Sequence, residues 1–147
     1  MGFIFSNHAL NCAALGWFLA QFFKGVFDSV KSKKIRIDRF FGAGGMPSSH
    51  SAMVSALLTM IFFIDGFAST TFAVAAVFAF ITVYDAAGVR YAVGEQAKII
   101  NKIIITDNDI TRDELFKELM GHTKPEVMAG CILGILISCG YWLLFLK

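Results

Sequence analysis

Residues 44–64 begin Gly44-Gly45-Met46-Pro47-Ser48-Ser49-His50-Ser51 and then run almost wholly apolar to Ile64. A run of this length approaches the roughly 20 residues that a helix needs to cross a bilayer. Its polar mouth reads as a helix start. Pro47 suits the first helical position, where its missing N–H costs nothing. The free N–H groups of the first turn then point back toward the glycines, at the positive end of the helix dipole. Such a terminus binds anions, phosphate above all. His50 sits in that first turn and can carry a proton near neutral pH. A plain capped helix start with an incidental histidine fits the same residues, so the surroundings must decide.

Outward from this stretch, the chain of 147 residues is 56% hydrophobic and 16% charged, with a mean hydropathy of +0.66. These values exclude an ordinary soluble domain. Apolar residues come in blocks, at 9–27, 46–64, 70–89 and 127–146. The expectation is an all-α, polytopic membrane bundle of four spanning helices, forming one domain over residues 1–147. No linker, repeat or low-complexity tract divides it. No Lys or Arg precedes the first block, which argues against a signal peptide. Cys12, Cys131 and Cys139 lie inside apolar blocks without metal-ligand spacing and read as small packing residues.

The cations set the expected orientation. Lys31, Lys33, Lys34, Arg36 and Arg39 follow the first block; Arg90, Lys98, Lys102, Arg112, Lys117 and Lys124 follow the third. The turn at residues 65–69 and the N-terminus carry none. Both termini are therefore expected outside, and the Pro-Ser-Ser-His stretch, Lys24, Arg90 and His122 at the cytoplasmic face.

Within the first block, Asn7, Asn11, Gln21, Lys24 and Asp28 share one helical face. Two readings fit Gln21, Lys24 and Asp28. One is a polar patch facing the bundle interior; the other is a Lys24–Asp28 pair with the lysine snorkelling to headgroups. The third block ends Asp85-Ala86-Ala87-Gly88-Val89-Arg90. Its small residues allow close helix approach. Asp85 and Arg90 either pair with each other or leave Arg90 to offer its fork to a phosphate. Glu95 is placed to pair with Lys98 and, with Gln96, is a supporting candidate only.

Residues 107–121 are expected to form a short cytoplasmic amphipathic helix, with Thr111 and Glu114 as a capping box and Ile110 and Leu115 as a staple. Asp107, Asp109, Thr111, Asp113 and Glu118 mimic a calcium-loop spacing, but Arg112 stands where that loop needs glycine. Next, Gly121-His122-Thr123-Lys124-Pro125-Glu126 opens the last block. Here Glu126 either caps the helix start from Thr123 or serves His122 close to His50. Gly130, Gly134 and Ser138 form a small-residue stripe for tight packing, within the bundle or in a homodimer.

The run Gly45-Met46-Pro47-Ser48-Ser49-His50-Ser51-Ala52, with Asp85-Ala86-Ala87-Gly88-Val89-Arg90 and Gly121-His122-Thr123, resembles the small divergent bacterial branch of the type 2 phosphatidic acid phosphatase and vanadium haloperoxidase superfamily. The likeness spans nearly the whole chain. It implies a general-acid role for His50 and a phosphohistidine-forming nucleophile at His122, served by Glu126 four residues later, where the superfamily usually has Asp. Lys24 matches the lysine of the superfamily's first motif. If the site is intact, Ser48, Ser49 and the first-turn amides would hold the phosphate with Lys24 and with Arg90 in place of a missing arginine, and Asp85, Gln21 and Glu95 are supporting candidates. The superfamily's lysine is followed seven residues on by Arg-Pro, whereas Lys24 is followed by Lys31-Ser32. The arginine expected six residues before the nucleophile is Phe116.

Two classes of function follow. The first is a membrane phosphatase or phosphotransferase for a lipid or isoprenoid phosphate, working without metal or cofactor in the bacterial plasma membrane. The second is a non-catalytic relative that binds phosphate headgroups or moves a substrate. Both imply membrane lipids and a lipid-like phosphate as partners, and neither implies nucleic acid.

Overall fold

The computed structural model describes residues 6–33, 45–106 and 121–147. Among them the chain is an all-helical membrane bundle without strands: α1 His8–Ser32, α2 Ser49–Asp65, α3 Thr70–Ala87, α4 Val89–Thr106 and α5 Lys124–Phe145. Local chemistry sets the boundaries. Asn7 caps α1, its Oδ1 accepting the Leu10 N–H at 3.0 Å, so it belongs to the helix start and not to the polar face expected of it. Ser69 caps α3 from its side chain, and Gly66, at φ 77°, turns the chain out of α2. Ser48 is the cap of α2, accepting the Ser51 N–H at 3.4 Å. Pro47 therefore stands outside the helix, before the cap, and not at its first position.

By length and composition, His8–Val30, Thr70–Ile103 and Lys124–Phe145 can cross a membrane. The fourth expected span is shorter. Once Met46 and Pro47 drop out, α2 has 17 residues. The third block also differs, since Gly88 interrupts the helix and Val89 begins α4. The cytoplasmic helix expected over residues 107–121 falls, but for Gly121, outside the described residues, as do its expected caps and the calcium-like spacing. So do Lys34, Arg36 and Arg39.

The shortest apolar helix is the central one. α2 packs on α1, α3 and α5, and Ala52 and Ala56 are fully buried between them. α5 runs parallel to α2 in steps of four on both helices. A Cβ on Gly130 would strike Ser48 O, and one on Gly134 would strike Ala52 O. Ser138 Oγ donates to Ala56 O at 2.7 Å. The stripe thus serves the bundle itself, since α2 occupies it. On the other side, a Cβ on Gly16 of α1 would lie 3.0 Å from Ala52 O. Without a hydrophobic drive between helices in lipid, this close backbone approach supplies the packing. Large side chains such as Phe80 and Leu144 point outward, as a bilayer permits. Cys12, Cys131 and Cys139 are free thiols.

Antiparallel α1 and parallel α5 bring several element ends together. The end of α1 and the starts of α2 and α5 meet beside the α3–α4 junction.

Candidate functional site

At that meeting point the deepest cation is Lys24, 2% exposed. A buried ammonium is costly unless acceptors surround it. Its Nζ donates to Gln21 Oε1 at 2.9 Å and to Ser49 Oγ at 3.2 Å, and Ser49 Oγ donates to the same Gln21 oxygen at 2.9 Å. The lysine therefore turns into the bundle and does not snorkel to headgroups. The carboxylates whose charge reaches it are Asp28 and Glu126. Gly45, at φ 84°, closes over this corner. A Cβ there would make an ordinary contact, 3.4 Å from Lys24 Cγ, so it is the left-handed backbone that calls for glycine.

Backbone bonds tie the three distinctive sequence stretches to one another. Ser48 N–H donates to Glu126 O at 3.0 Å, His122 N–H to Ala86 O at 3.1 Å, and Gly121 N–H to Arg90 O at 3.2 Å. A side chain on Gly121 would collide with the backbone of Arg90 and Tyr91, which explains the glycine before the histidine. The Ser48, Ser49, Ser51 trio is fully or nearly fully buried, with Ser51 Oγ donating to Ser48 Oγ at 2.9 Å.

His122 is 5% exposed. Its Nδ1 lies 3.5 Å from Glu126 Oε2, beyond good hydrogen-bond range, and is buried without a hydrogen-bond partner among the described residues. The same Oε2 accepts the Thr123 N–H at 2.9 Å. Capping and proximity to the histidine are thus not alternatives, because one carboxylate oxygen does both. Burial holds the His122 imidazole below its ordinary value, the Lys24 ammonium pushes the same way, Glu126 opposes them, and His50 adds a smaller downward push. The ring is therefore neutral at pH 7.

His50, in the first turn of α2, is exposed. Arg90, Lys24 and Asp85 are the charges that reach it. Arg90 is bound to Asp85, Nε to Oδ2 at 2.7 Å, with both side chains substantially exposed. Glu95 stands apart. It pairs with Lys98 at 2.7 Å on α4, a helix that among the described helices packs only on α3. Gly45, Ser51 and Asp28 were given no role among the expected site residues, although helical spacing grouped Asp28 with Gln21 and Lys24, and Gly45 and Ser51 flank the Pro-Ser-Ser-His stretch.

Two clefts flank this cluster. One of about 300 Å³ is lined by His122 with Ala87, Tyr91, Thr123, Lys124 and Pro125. The other, of about 380 Å³, is apolar and runs from Pro47 along α5. A larger cavity, about 660 Å³, opens at the opposite end of the bundle near Asn7, His8 and Asp65, away from this cluster.

The sequence pattern of the Divergent PAP2 family matches residues 5–137. The chain belongs to this family. Consistent with that, it is 37% identical over 148 residues to the uncharacterized membrane protein YuiD of Bacillus subtilis (strain 168), covering 92% of this chain and 94% of YuiD. No solved structure matches the chain. Membership in the divergent PAP2 family agrees with the three stretches that meet at the α2 and α5 starts, and the relative agrees with a membrane location.

Proposed function

We propose that this divergent PAP2 protein is a membrane phosphatase or phosphotransferase that acts on a lipid or isoprenoid phosphate through a phosphohistidine. One observation carries the reading. The starts of α2 and α5 are hydrogen-bonded to each other, Ser48 N–H to Glu126 O at 3.0 Å, which sets the His50 and His122 segments side by side next to a buried lysine.

The chemistry follows from neutral His122. With a proton on Nδ1 facing Glu126, the Nε2 lone pair attacks phosphorus; the P–N bond forms as the P–O bond to the leaving group breaks. His50, protonated, gives its proton to the departing oxygen. Water then attacks phosphorus, His50 takes its proton, the P–N bond breaks, and phosphate leaves with His122 restored. Glu126 balances the imidazolium formed on the way. Its 3.5 Å contact can tighten when charge develops, as such bonds do in occupied sites. Lys24, Ser48 and Ser49 hold the phosphoryl oxygens, acting as preorganised donors. Arg90 can join them at small cost. Its bond to Asp85 is exposed, and such pairs are worth about 0.2–1 kcal/mol.

In this reading the site faces the cytoplasm at the bacterial plasma membrane, with both termini outside and a single domain over residues 1–147; the Lys and Arg residues that follow the first and third apolar blocks support it. A second reading, headgroup binding or transport without turnover, rests on Lys31-Ser32 and Phe116 standing where the wider superfamily has arginines, and on Arg90 being occupied by Asp85. Purified protein in nanodiscs should release phosphate from a lipid phosphate, be inhibited by vanadate, and lose all release in His122→Ala. His50→Ala should slow release by about 10²–10⁴, less with a good leaving group. Binding without release across a broad panel of lipid and isoprenoid phosphates would defeat the enzyme reading.

A further inference from the structure

The apolar cleft beside the cluster differs from the rest of the outer surface in shape and in where it begins. Phe23 and Phe27 of α1, Pro47 before α2, and Ala129, Ile132 and Leu136 of α5 line its volume of about 380 Å³, and every lining side chain is apolar. At its near end the lining residues are chain neighbours of the proposed phosphate site: Phe23 adjoins Lys24, Pro47 adjoins Ser48, and Ala129 lies about one turn beyond Glu126. From Ala129 to Leu136 it extends about 10 Å along α5, at about 1.5 Å per residue. A cationic, hydroxyl-bearing corner beside an apolar trough is complementary to an amphiphile with an anionic head and one hydrocarbon chain.

We propose that this groove takes the hydrocarbon chain of the phosphate substrate, with the phosphate against Lys24, Ser49 and His122. The inference rests on the proposed phosphate site and names which part of the protein receives the tail. A chain seated there contacts fixed walls and excludes water behind the phosphate, while the rest of the outer surface meets bulk lipid.

The test uses decyl phosphate carrying a mid-chain diazirine, photolysed with the full-length protein in phosphatidylcholine nanodiscs. Label should fall on peptides containing residues 23–27 and 129–136, and excess plain decyl phosphate should remove it while decanol should not. Ile132→Trp and Leu136→Trp fill the groove at exposed positions. Each should cut labelling roughly tenfold, as displacing about two buried methylenes would. Leu144→Trp, exposed on the same helix and outside the groove, should leave it unchanged. Equal labelling by the matching photoreactive decanol, label spread over α3, or full labelling in both groove variants would overturn the inference. Groove labelling in a protein that releases no phosphate would uphold the groove and overturn the phosphatase. Phosphate release with label elsewhere would do the reverse.

Discussion

Glu126→Gln separates two jobs performed by one carboxylate oxygen. Oε2 accepts the Thr123 N–H at 2.9 Å and lies 3.5 Å from His122 Nδ1. Glutamine keeps the reach and a carbonyl oxygen for the cap, and loses only the charge. Its stability cost is then the lost interaction with the α5 dipole, about 0.3–1 kcal/mol. Glu126→Ala loses the capping bond as well, a further ~1 kcal/mol. Turnover should respond differently. A neutral amide cannot balance the imidazolium formed as Nε2 takes the phosphoryl group, so both variants should lose about 10²–10⁴ in rate. The upper end is the known cost of asparagine replacing the aspartate of a serine-protease triad. The assay pairs phosphate release at pH 7.5 with the unfolding midpoint in an SDS titration. Wild-type turnover in Glu126→Gln would refute the role given to the charge. A fall in rate that tracks the loss of stability from Gln to Ala would show that only the cap matters.

Other outcomes follow from the same geometry. His122 is held below its ordinary 6.5, so as pH falls the unfolded chain takes up that proton before the native protein does. Stability from this group is thus full above about 6.5 and declines as pH drops toward the lowered native value; unfolding midpoints at pH 7.5 and 5 should differ less in His122→Gln than in wild type. Gly134→Ala should destabilise by about 1–3 kcal/mol through overpacking, because a Cβ there meets Ala52 O, whereas Gly140→Ala, with open space around it, should be neutral or stabilising by up to ~1 kcal/mol. Matched SDS titrations of the two variants decide this. Cysteines introduced at Ser32 and Ala68, both exposed, should label from opposite sides of the membrane, Ser32→Cys only after the cells are opened; its labelling in intact cells would turn the site outward.

How far the sequence discloses this arrangement depends on the range of the interaction. Apolar blocks and the hydroxyl and amide caps act within a turn or two, so helix existence was legible. The α5 stripe announced a tight contact, though not that α2 would fill it. Helix ends were less legible. Pro47 fits a first-turn position by its φ preference, yet Ser48 holds the cap, which shortens α2. Gly88 divides an apolar run that composition alone carries through. The convergence of three motifs was expected from shared topology. The bonds that make it, Ser48 N–H to Glu126 O and His122 N–H to Ala86 O, join backbone groups far apart in the chain and leave no local pattern. The double use of Glu126 was hidden for a different reason: either role alone accounts for a glutamate at that position.

The claim that His122 becomes covalently phosphorylated has a direct test. Protein in nanodiscs is mixed with a lipid phosphate radiolabelled in the phosphoryl group, quenched within the first turnover, and examined for acid-labile, base-stable label. The account predicts a phosphohistidine that maps to His122, is absent from His122→Ala, and accumulates when His50 is replaced and the leaving group is already a good one. Turnover by the wild-type protein with no label on His122, or with label on another residue, would contradict it.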